Sequence, residues 1–239
     1  MSANYKRLLS LGCASTALLA SVHATELLVN GGFESGLTGW TVTDQAGGSG
    51  SFFANTGFAS PVTGFATVGP ASGLQYGISD QTGPGAHALS QSFTVAPGST
   101  VWLSYDLFAN NQNGTFYVDP AGLDYTASPN QHARVDLLTA TADPLSTAAV
   151  DVLANFYLSA DVGTPPNPYT SYGIDISSLV AAGGTYQIRF GEVDNQFFFQ
   201  VGVDNVSVTT SSVPEASTNL AGIALAGLAG FNCWRRRRA

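Results

Sequence analysis

The chain contains only two cysteines in 239 residues, Cys13 and Cys233, and both lie near its ends. The segment from Thr25 to Ser212, which we call the body, therefore has no disulfide, no thiolate metal site and no cysteine nucleophile. The body is 188 residues long. A chain of that length buries a stable core without cross-links.

Positive charge is scarce as well. The body has fifteen acidic residues and no lysine, and its two basic residues are Arg134 and Arg189, so its formal net charge is −13. A surface of that sign repels a phosphate backbone, which excludes nucleic acid as a partner.

Motifs for catalysis are also lacking. His87 and His132 are 45 residues apart, outside any HExxH arrangement, and no GxSxG sequence occurs. The sequence therefore predicts a protein that is not an enzyme and requires no cofactor. The alternative is a glycoside hydrolase, which needs a pair of carboxylates facing one cleft. The acidic residues supply many candidate pairs, but no pair lies in a motif.

The first 24 residues have the three parts of an export signal. Lys6 and Arg7 form a positive region, residues 8–20 form an apolar stretch, and "VHA" at residues 22–24 is a small-residue cleavage site. We predict a signal peptide over residues 1–24, with an apolar signal helix, that signal peptidase removes after Ala24.

The body consists of short apolar runs separated by Gly, Pro, Asn, Asp and Ser. In "VWLSYDLFA" one face carries Val101, Leu103, Tyr105 and Leu107, and the other carries Trp102, Ser104, Asp106 and Phe108. The runs "ALSQSFTV", "ARVDLLTA", "TYQIRFGEV" and "VGVDNVSV" are similar. Alternation of this kind is typical of half-buried antiparallel strands. Residues 25–208 are therefore predicted to form an all-β domain, an antiparallel β-sandwich or jelly roll.

The two ends of the body carry residues of a known family. "LLVNGGFESGLTGW" (residues 27–40) and "VGVDNVSV" (residues 201–208) resemble the opening and closing strands of galactose-binding-like jelly rolls, a fold that carbohydrate-binding modules share. The resemblance implies that these strands lie side by side. It also implies a structural calcium ion held by Glu34 and Asp204, and carboxylates are oxygen ligands that calcium accepts. The alternative is that Glu34 caps a turn and Asp204 is a solvated strand-end residue.

A sugar-binding face needs aromatic rings that stack on the sugar beside polar groups. Loop tyrosines are the candidates: "FYVDPAGLDY" offers Tyr117 and Tyr125, and "PPNPYTSY" offers Tyr169 and Tyr172. We take Tyr169 and Tyr172 as the predicted ligand-binding residues. The alternative is that these rings cover loops and strand edges.

Other aromatic residues are predicted to serve the core. Trp40 and Trp102 are assigned to the core from their places in the strand pattern. Residues 197–199 are three consecutive phenylalanines, and they cannot all face inward because successive side chains of a strand alternate. Either Phe198 is an exposed contact patch, or another sheet or a loop covers it.

The C-terminal segment has three parts in a fixed order. "VPEAS" begins at Val213, an apolar stretch follows at residues 220–231, and four arginines close the chain. These are Arg235, Arg236, Arg237 and Arg238. As a helix the apolar stretch would be about 18 Å long, against a hydrocarbon core of about 30 Å, so it would span a membrane only marginally. The arginines would remain cytoplasmic.

This order resembles the PEP-CTERM sorting signal of Gram-negative bacteria, which the membrane protease-transferase exosortase recognises. Val213, Pro214 and Glu215 match the motif, whereas Ala216 replaces a second proline. The resemblance implies that residues 213–239 are a temporary anchor in the inner membrane that is removed near the motif. Residues 209–212 are predicted to form a small polar linker that gives the protease access. The mature protein would then lie at the cell surface or outside the cell. A permanent anchor is the alternative.

Three functions remain open at this point. The first is a non-enzymatic binding or structural protein of the cell envelope or matrix, associated with extracellular polysaccharide as the sorting signal implies. The second is a specific carbohydrate-binding module. The third is a hydrolase on the same scaffold, because one fold hosts many functions.

Overall fold

The computed structural model describes residues 24–112, 122–159 and 163–211. Within these ranges the chain forms eleven β-strands: β1 (Ala24–Glu26), β2 (Thr41–Asp44), β3 (Ser51–Asn55), β4 (Tyr76–Asp80), β5 (Gly85–Val95), β6 (Thr100–Asn111), β7 (Gln131–Thr139), β8 (Val152–Ser159), β9 (Thr170–Asp175), β10 (Gly184–Asp194) and β11 (Phe199–Ser211). Among these residues no helix has the length and apolar character that a membrane span requires.

The strands form two antiparallel sheets. The six-stranded sheet has the order β3-β4-β11-β6-β9, with β1 paired to β11, and the five-stranded sheet has the order β2-β5-β10-β7-β8. The predicted fold class, an all-β antiparallel sandwich of the jelly-roll type, is confirmed for the described residues. The two predicted terminal helices lie outside them.

The core between the sheets is built by the alternation seen in the sequence. Leu103, Tyr105 and Leu107 of β6 are buried in a single apolar cluster, together with Phe190 of β10 and Val135 of β7. Because successive side chains point to opposite faces, alternate residues of these three strands reach this layer.

Gln91 is a polar exception on the inward face of β5. Its amide donates a hydrogen bond to the carbonyl of Val29 (3.0 Å) and accepts one from the N–H of Val29 (2.7 Å). The side chain thus satisfies both backbone groups of a residue that follows the short first strand, which compensates for the burial of an amide.

The two ends of the body pair with each other, as the family resemblance implies. Glu26 of β1 lies opposite Thr209, and Ala24 lies opposite Ser211. The prediction that the sandwich ends at residue 208 and that a linker follows is therefore wrong for residues 209–211, which extend β11. The Glu26 carboxylate helps to hold this end, because it accepts the N–H of Val208 at 2.9 Å.

Several connections lie at one end of the sandwich, and three of them are close neighbours. They join β2 to β3, β4 to β5, and β10 to β11. Strand pairing fixes their proximity, because Asp194 at the end of β10 lies opposite Gly85 at the start of β5, and Ser51 lies opposite Asp80. We call this the loop end.

Candidate functional site

A pocket of about 240 Å³ opens at the loop end, between the β4–β5 and β10–β11 connections. Its lining residues are Thr82, Gly83, Pro84, Asp194, Asn195, Gln196, Phe197 and Phe198. Pro84 and Asp194 are 110 residues apart in the sequence. They meet because β5 and β10 pair along their whole length.

Asp194 contributes the carboxyl group of the pocket. Its Oδ1 accepts the backbone N–H groups of Gln196 at 2.9 Å and Phe197 at 3.2 Å, which closes the turn after β10. Burial raises the pKa of Asp194 to about 6, and the two N–H groups partly oppose this shift. The pocket therefore holds a carboxyl group that is mostly ionised at pH 7 and mostly protonated at pH 5.

The three consecutive phenylalanines take three different environments. Phe199 begins β11 and is fully buried in the core. Phe198 is half-buried, with its ring centroid 5.1 Å from that of Phe65. Phe65 lies in a loop, so Phe198 is covered by a loop, which is one of the two alternatives given above. Phe197 is 50% exposed and its ring lies edge-on to Phe198, with centroids 4.8 Å apart. The pocket is thus bordered by an aromatic ring that solvent can reach.

Asn195 fixes the wall of the pocket. Its side-chain amide donates to the carbonyls of Tyr125 (2.6 Å) and Ala127 (2.7 Å), and its Oδ1 accepts the N–H of Asn130 at 2.7 Å. These bonds attach the β10–β11 turn to the segment that precedes β7. The turn therefore presents Phe197 from a held backbone rather than from an isolated hairpin.

The chemistry of this pocket suits a neutral ring that carries hydroxyl groups. Phe197 offers an apolar surface, Thr82 a hydroxyl, and Asp194 an acceptor of hydrogen bonds. Asp194 is the one carboxylate in the lining as described, whereas glycoside hydrolysis uses two. The arrangement fits binding better than bond cleavage.

The predicted ligand residues Tyr169 and Tyr172 lie on opposite faces of the six-stranded sheet. Tyr169 is half-buried on the outward face, edge-on to Phe108 at 5.0 Å, and its hydroxyl donates to the carbonyl of Gly69 at 3.0 Å. Tyr172 packs against the core and stacks on Tyr105 at 4.8 Å. Residues three apart on an extended chain point to opposite sides, so the structure does not bring these two rings together.

The other aromatic candidates divide similarly. Tyr125 uses its hydroxyl to bind the carbonyl of Ala46 at 3.0 Å, and Tyr117 lies outside the described residues. Trp40 is buried, as predicted. The assignment of Trp102 to the core is wrong, because its side chain is 48% exposed on the outward face of β6.

Glu34 and Asp204, the predicted calcium ligands, bind the same loop, residues 71–75. Oε1 of Glu34 accepts two backbone N–H groups of this loop, at 2.8 and 3.1 Å. Oδ2 of Asp204 accepts two more, at 2.9 and 3.0 Å. In the described ranges no group of three or more acidic, histidine or cysteine side chains is placed to hold a metal. Calcium binding by Glu34 and Asp204 stays a prediction.

The signals at the chain ends fall largely outside the described residues. These include residues 1–23 of the signal peptide, the sorting motif at residues 213–216 and the arginines at residues 235–238. Ala24, the predicted cleavage position, is the first residue of β1. Processing at either end therefore stays a prediction.

Comparison with known proteins yields structural similarity alone. No protein-family model matches the chain, and no curated protein matches it. The module TmCBM61 in complex with beta-1,4-galactotriose is 10% identical, with a TM-score of 0.47 over 77% of this chain and 97% of its own. The K3 adhesin domain of Lys-gingipain from Porphyromonas gingivalis is 16% identical, with a TM-score of 0.47 over 79% of this chain and 100% of its own. The CBM22-1 xylan-binding domain of Paenibacillus barcinonensis Xyn10C is 12% identical, with a TM-score of 0.46, and the match covers 82% of this chain and 100% of that domain.

The pocket is not evident from the sequence alone. The strongest signal for it is "DNQFFF" at residues 194–199, where an aspartate that caps a turn is followed three residues later by aromatic side chains. The opposite wall, "TGPG" at residues 82–85, is a turn sequence without any functional signature.

Proposed function

We propose that this chain is an exported, non-enzymatic protein that binds neutral carbohydrate in the pocket at the loop end. The observation that carries the proposal is the half-exposed ring of Phe197 beside the buried carboxyl group of Asp194 in a pocket of about 240 Å³. Sugars present apolar C–H faces and hydroxyl groups together, so they match a site that offers an aromatic surface and hydrogen-bond acceptors.

The charge of the body supports a neutral ligand over an acidic one. Asp194 lines the pocket, and the two arginines of the body belong to β7 and β10, where both bond to Asp136 on the outward face of the five-stranded sheet. An acidic sugar would meet a carboxylate in the pocket and a net charge of −13 around it. Neutral hexoses and pentoses avoid both penalties.

The carbohydrate proposal is tested by probing an array of neutral and acidic oligosaccharides with the full-length chain. We expect retention on neutral glycans, and the Phe197→Ala change is expected to weaken binding of the best one by roughly tenfold, because one stacked ring is removed. Phe58→Ala is the matched control, since Phe58 is also exposed and lies outside the pocket lining. It should bind like the wild type.

The same titration at pH 5 adds a second readout. Protonation of Asp194 removes an anionic acceptor from the pocket, so affinity should fall as the pH drops below about 6. Binding to no glycan, or an equal loss in the Phe197 and Phe58 variants, would contradict the carbohydrate proposal and leave a purely structural role.

The route by which the protein reaches its ligand forms the second part of the proposal. Residues 1–24 direct export through signal peptidase, and residues 213–239 anchor the chain transiently until an exosortase-type enzyme removes them. The order of motif, short apolar stretch and arginine cluster supports this route. The mature protein would then act at the cell surface or in the polysaccharide matrix.

The mass of the protein isolated from its native host tests this route. We expect a mature chain that begins at Thr25 and ends near residues 213–216, without the four arginines, in the secreted or surface fraction. A chain that still ends at Ala239 would instead indicate a permanent membrane anchor.

A further inference from the structure

Trp102 is the largest exposed aromatic side chain among the described residues, and the pocket does not use it. It lies on the outward face of the six-stranded sheet, near the start of β6, and is 48% exposed. A methyl group added to Gly173 of β9 would lie 3.3 Å from Cζ2 and 3.4 Å from Nε1 of the indole. An edge of the indole therefore lies beside Gly173, and about half of the tryptophan side chain is open to solvent.

The role of Gly173 is to leave space for the indole, since its backbone conformation does not require a glycine. It lies within β9 and is not among the glycines with a left-handed backbone conformation. A larger residue could adopt the strand geometry, but its side chain would meet the indole. The missing side chain at Gly173 thus leaves room for the indole on this face of the sheet.

Polar groups flank the ring in one row across four strands. The register places Glu26 of β1 opposite Thr209 of β11, Thr209 opposite Trp102, and Trp102 opposite Asp175 of β9. With strands about 4.8 Å apart, Glu26 and Asp175 lie roughly 14 Å from each other, one on each side of the indole. Hydrogen bonds from the hydroxyl and backbone of Ser177 lower the pKa of Asp175, so its carboxylate stays ionised and accepts hydrogen bonds over a wide pH range.

The next set of paired residues on the same face carries two hydroxyl groups and no charge. Ser207 of β11 lies opposite Ser104 of β6, and Ser104 lies opposite Gly173. In the described strands of this sheet there is no lysine or arginine, because Arg134 and Arg189 belong to β7 and β10 of the other sheet. A ligand on this face therefore meets hydrogen-bond acceptors and an aromatic surface without a cation to pair with an acidic group.

We propose that the face around Trp102 is a second binding site for neutral polysaccharide, and that one molecule thereby bridges two polysaccharide chains. A pyranose ring packs against the exposed part of the indole, and its hydroxyl groups donate to the carboxylate of Asp175. The Trp102 site stands on its own observations, whereas bridging also rests on the proposed function of the pocket.

The two sites are too far apart for one short oligosaccharide to occupy both. Phe198 borders the pocket just before β11 begins at Phe199, and Thr209 beside Trp102 lies ten residues further along the same strand. Ten residues of β-strand span roughly 33 Å. Two separated sites on one rigid sandwich give a cross-linking protein, and avidity strengthens its attachment to long chains.

The Trp102 site is tested with the full-length chain by tryptophan fluorescence during titration with short neutral oligosaccharides. We expect a saturable change that disappears in Trp102→Phe, which identifies the signal among the three tryptophans, and that weakens roughly tenfold in Trp102→Ala. Gly173→Val is the second variant: it keeps the tryptophan but displaces the indole, and it should weaken binding similarly. Thermal melting confirms that each variant is folded.

Separate variants distinguish this inference from the proposed function. Phe197→Ala should leave the Trp102 signal intact, and Trp102→Ala should leave pocket binding intact, while either change should abolish the turbidity that the wild type produces with a long neutral polysaccharide. Pocket binding without any Trp102 response would overturn the second site. A change in oligomeric state on mutation of Trp102, without any change in sugar binding, would show that this face contacts a second copy of the chain and would equally overturn it.

Discussion

Replacing Asp136 with asparagine is expected to lower the free energy of unfolding by about 3–5 kcal/mol. Asp136 of β7 is fully buried and is the shared counterion of Arg134 and Arg189. Its Oδ2 accepts hydrogen bonds from Nε of Arg134 (2.7 Å) and Nε of Arg189 (3.0 Å). Its Oδ1 accepts a hydrogen bond from Nη2 of Arg134 (2.9 Å). The isosteric amide would leave two guanidinium groups without a counterion, one of them completely buried.

Arg189 makes the loss severe, because it also organises the β7–β8 connection. Its Nη1 donates to the carbonyls of Pro144 (2.7 Å) and Ser146 (2.6 Å), so the loop closes over the guanidinium group. Burial alone would raise the pKa of Asp136, but the hydrogen bonds and charges of the two arginines outweigh it and hold that pKa below its ordinary value. The stabilisation is therefore present above the ordinary pKa of an aspartate and is lost as the pH falls through the lowered pKa.

Chemical denaturation of wild type and Asp136→Asn at pH 7 measures this effect. Asp175→Asn is the matched control, because Asp175 also has a lowered pKa but lies in solvent, where screening by water makes the loss much smaller. Equal losses in the two variants would show that the buried cluster contributes no more than a surface contact.

Replacing Glu192 with glutamine is expected to stabilise the protein at neutral and alkaline pH. Glu192 of β10 is completely buried between the sheets, and neither carboxyl oxygen has a hydrogen-bond partner among the described residues. Burial raises the pKa of Glu192 well above 4.5, and the charges of Asp194, Asp80 and Asp44 raise it further. The folded state therefore keeps a proton on Glu192 that the unfolded chain releases.

The sign of the pH effect follows from this proton. Above pH 4.5 the folded state binds more protons than the unfolded state, so stability falls as the pH rises toward the raised pKa, by up to about 1.4 kcal/mol per pH unit for one proton. Glutamine is neutral at every pH and nearly isosteric, so the variant lacks this loss. Melting temperatures at pH 4 and pH 8 provide an internal control, since the two proteins should be similar at pH 4 and separate at pH 8. A constant difference at both values would refute ionisation as the cause.

The sandwich could be predicted because each strand has one buried face, and burial on one face produces strict alternation in the sequence. What covers the other face could not be predicted in this way. Phe108 and Trp102 both point outward from β6, yet Phe108 is buried beneath Tyr76 and Tyr169 while Trp102 is half-exposed. Whether an outward-facing ring is buried depends on where the loops lie, and the alternation of apolar and polar residues does not indicate the positions of loops.

Local composition fails to predict the end of the domain for a related reason. Residues 209–211 are small and polar, which is typical of a linker, but they form a strand because they pair with β6 on one side and with β1, from the other end of the body, on the other side. Long-range pairing of this kind overrides local composition. The family resemblance of the terminal strands did indicate that the two ends are neighbours, and this was the more reliable signal.

The pocket needed the folded chain, because its walls come from two turns that only strand pairing brings together. The sequence did reveal that residues 197–199 could not all be buried, but not which ring is exposed. Phe197 reaches solvent because the Asp194 carboxylate closes the turn before it, and Phe198 is covered by Phe65 from a distant loop. Loop composition predicts Tyr169 and Tyr172 as ligand-binding residues, but each ring packs on a different face of the sheet.

The most direct test of carbohydrate binding in the pocket is an NMR titration of the full-length chain with the neutral oligosaccharide that the array retains best. The account predicts that the largest amide shift changes occur at Thr82, Gly83 and residues 194–198, and that they saturate with the affinity measured in solution. The account also predicts that these shift changes are lost in Phe197→Ala. Saturating changes confined to other surfaces, with none at the loop end, would contradict the account.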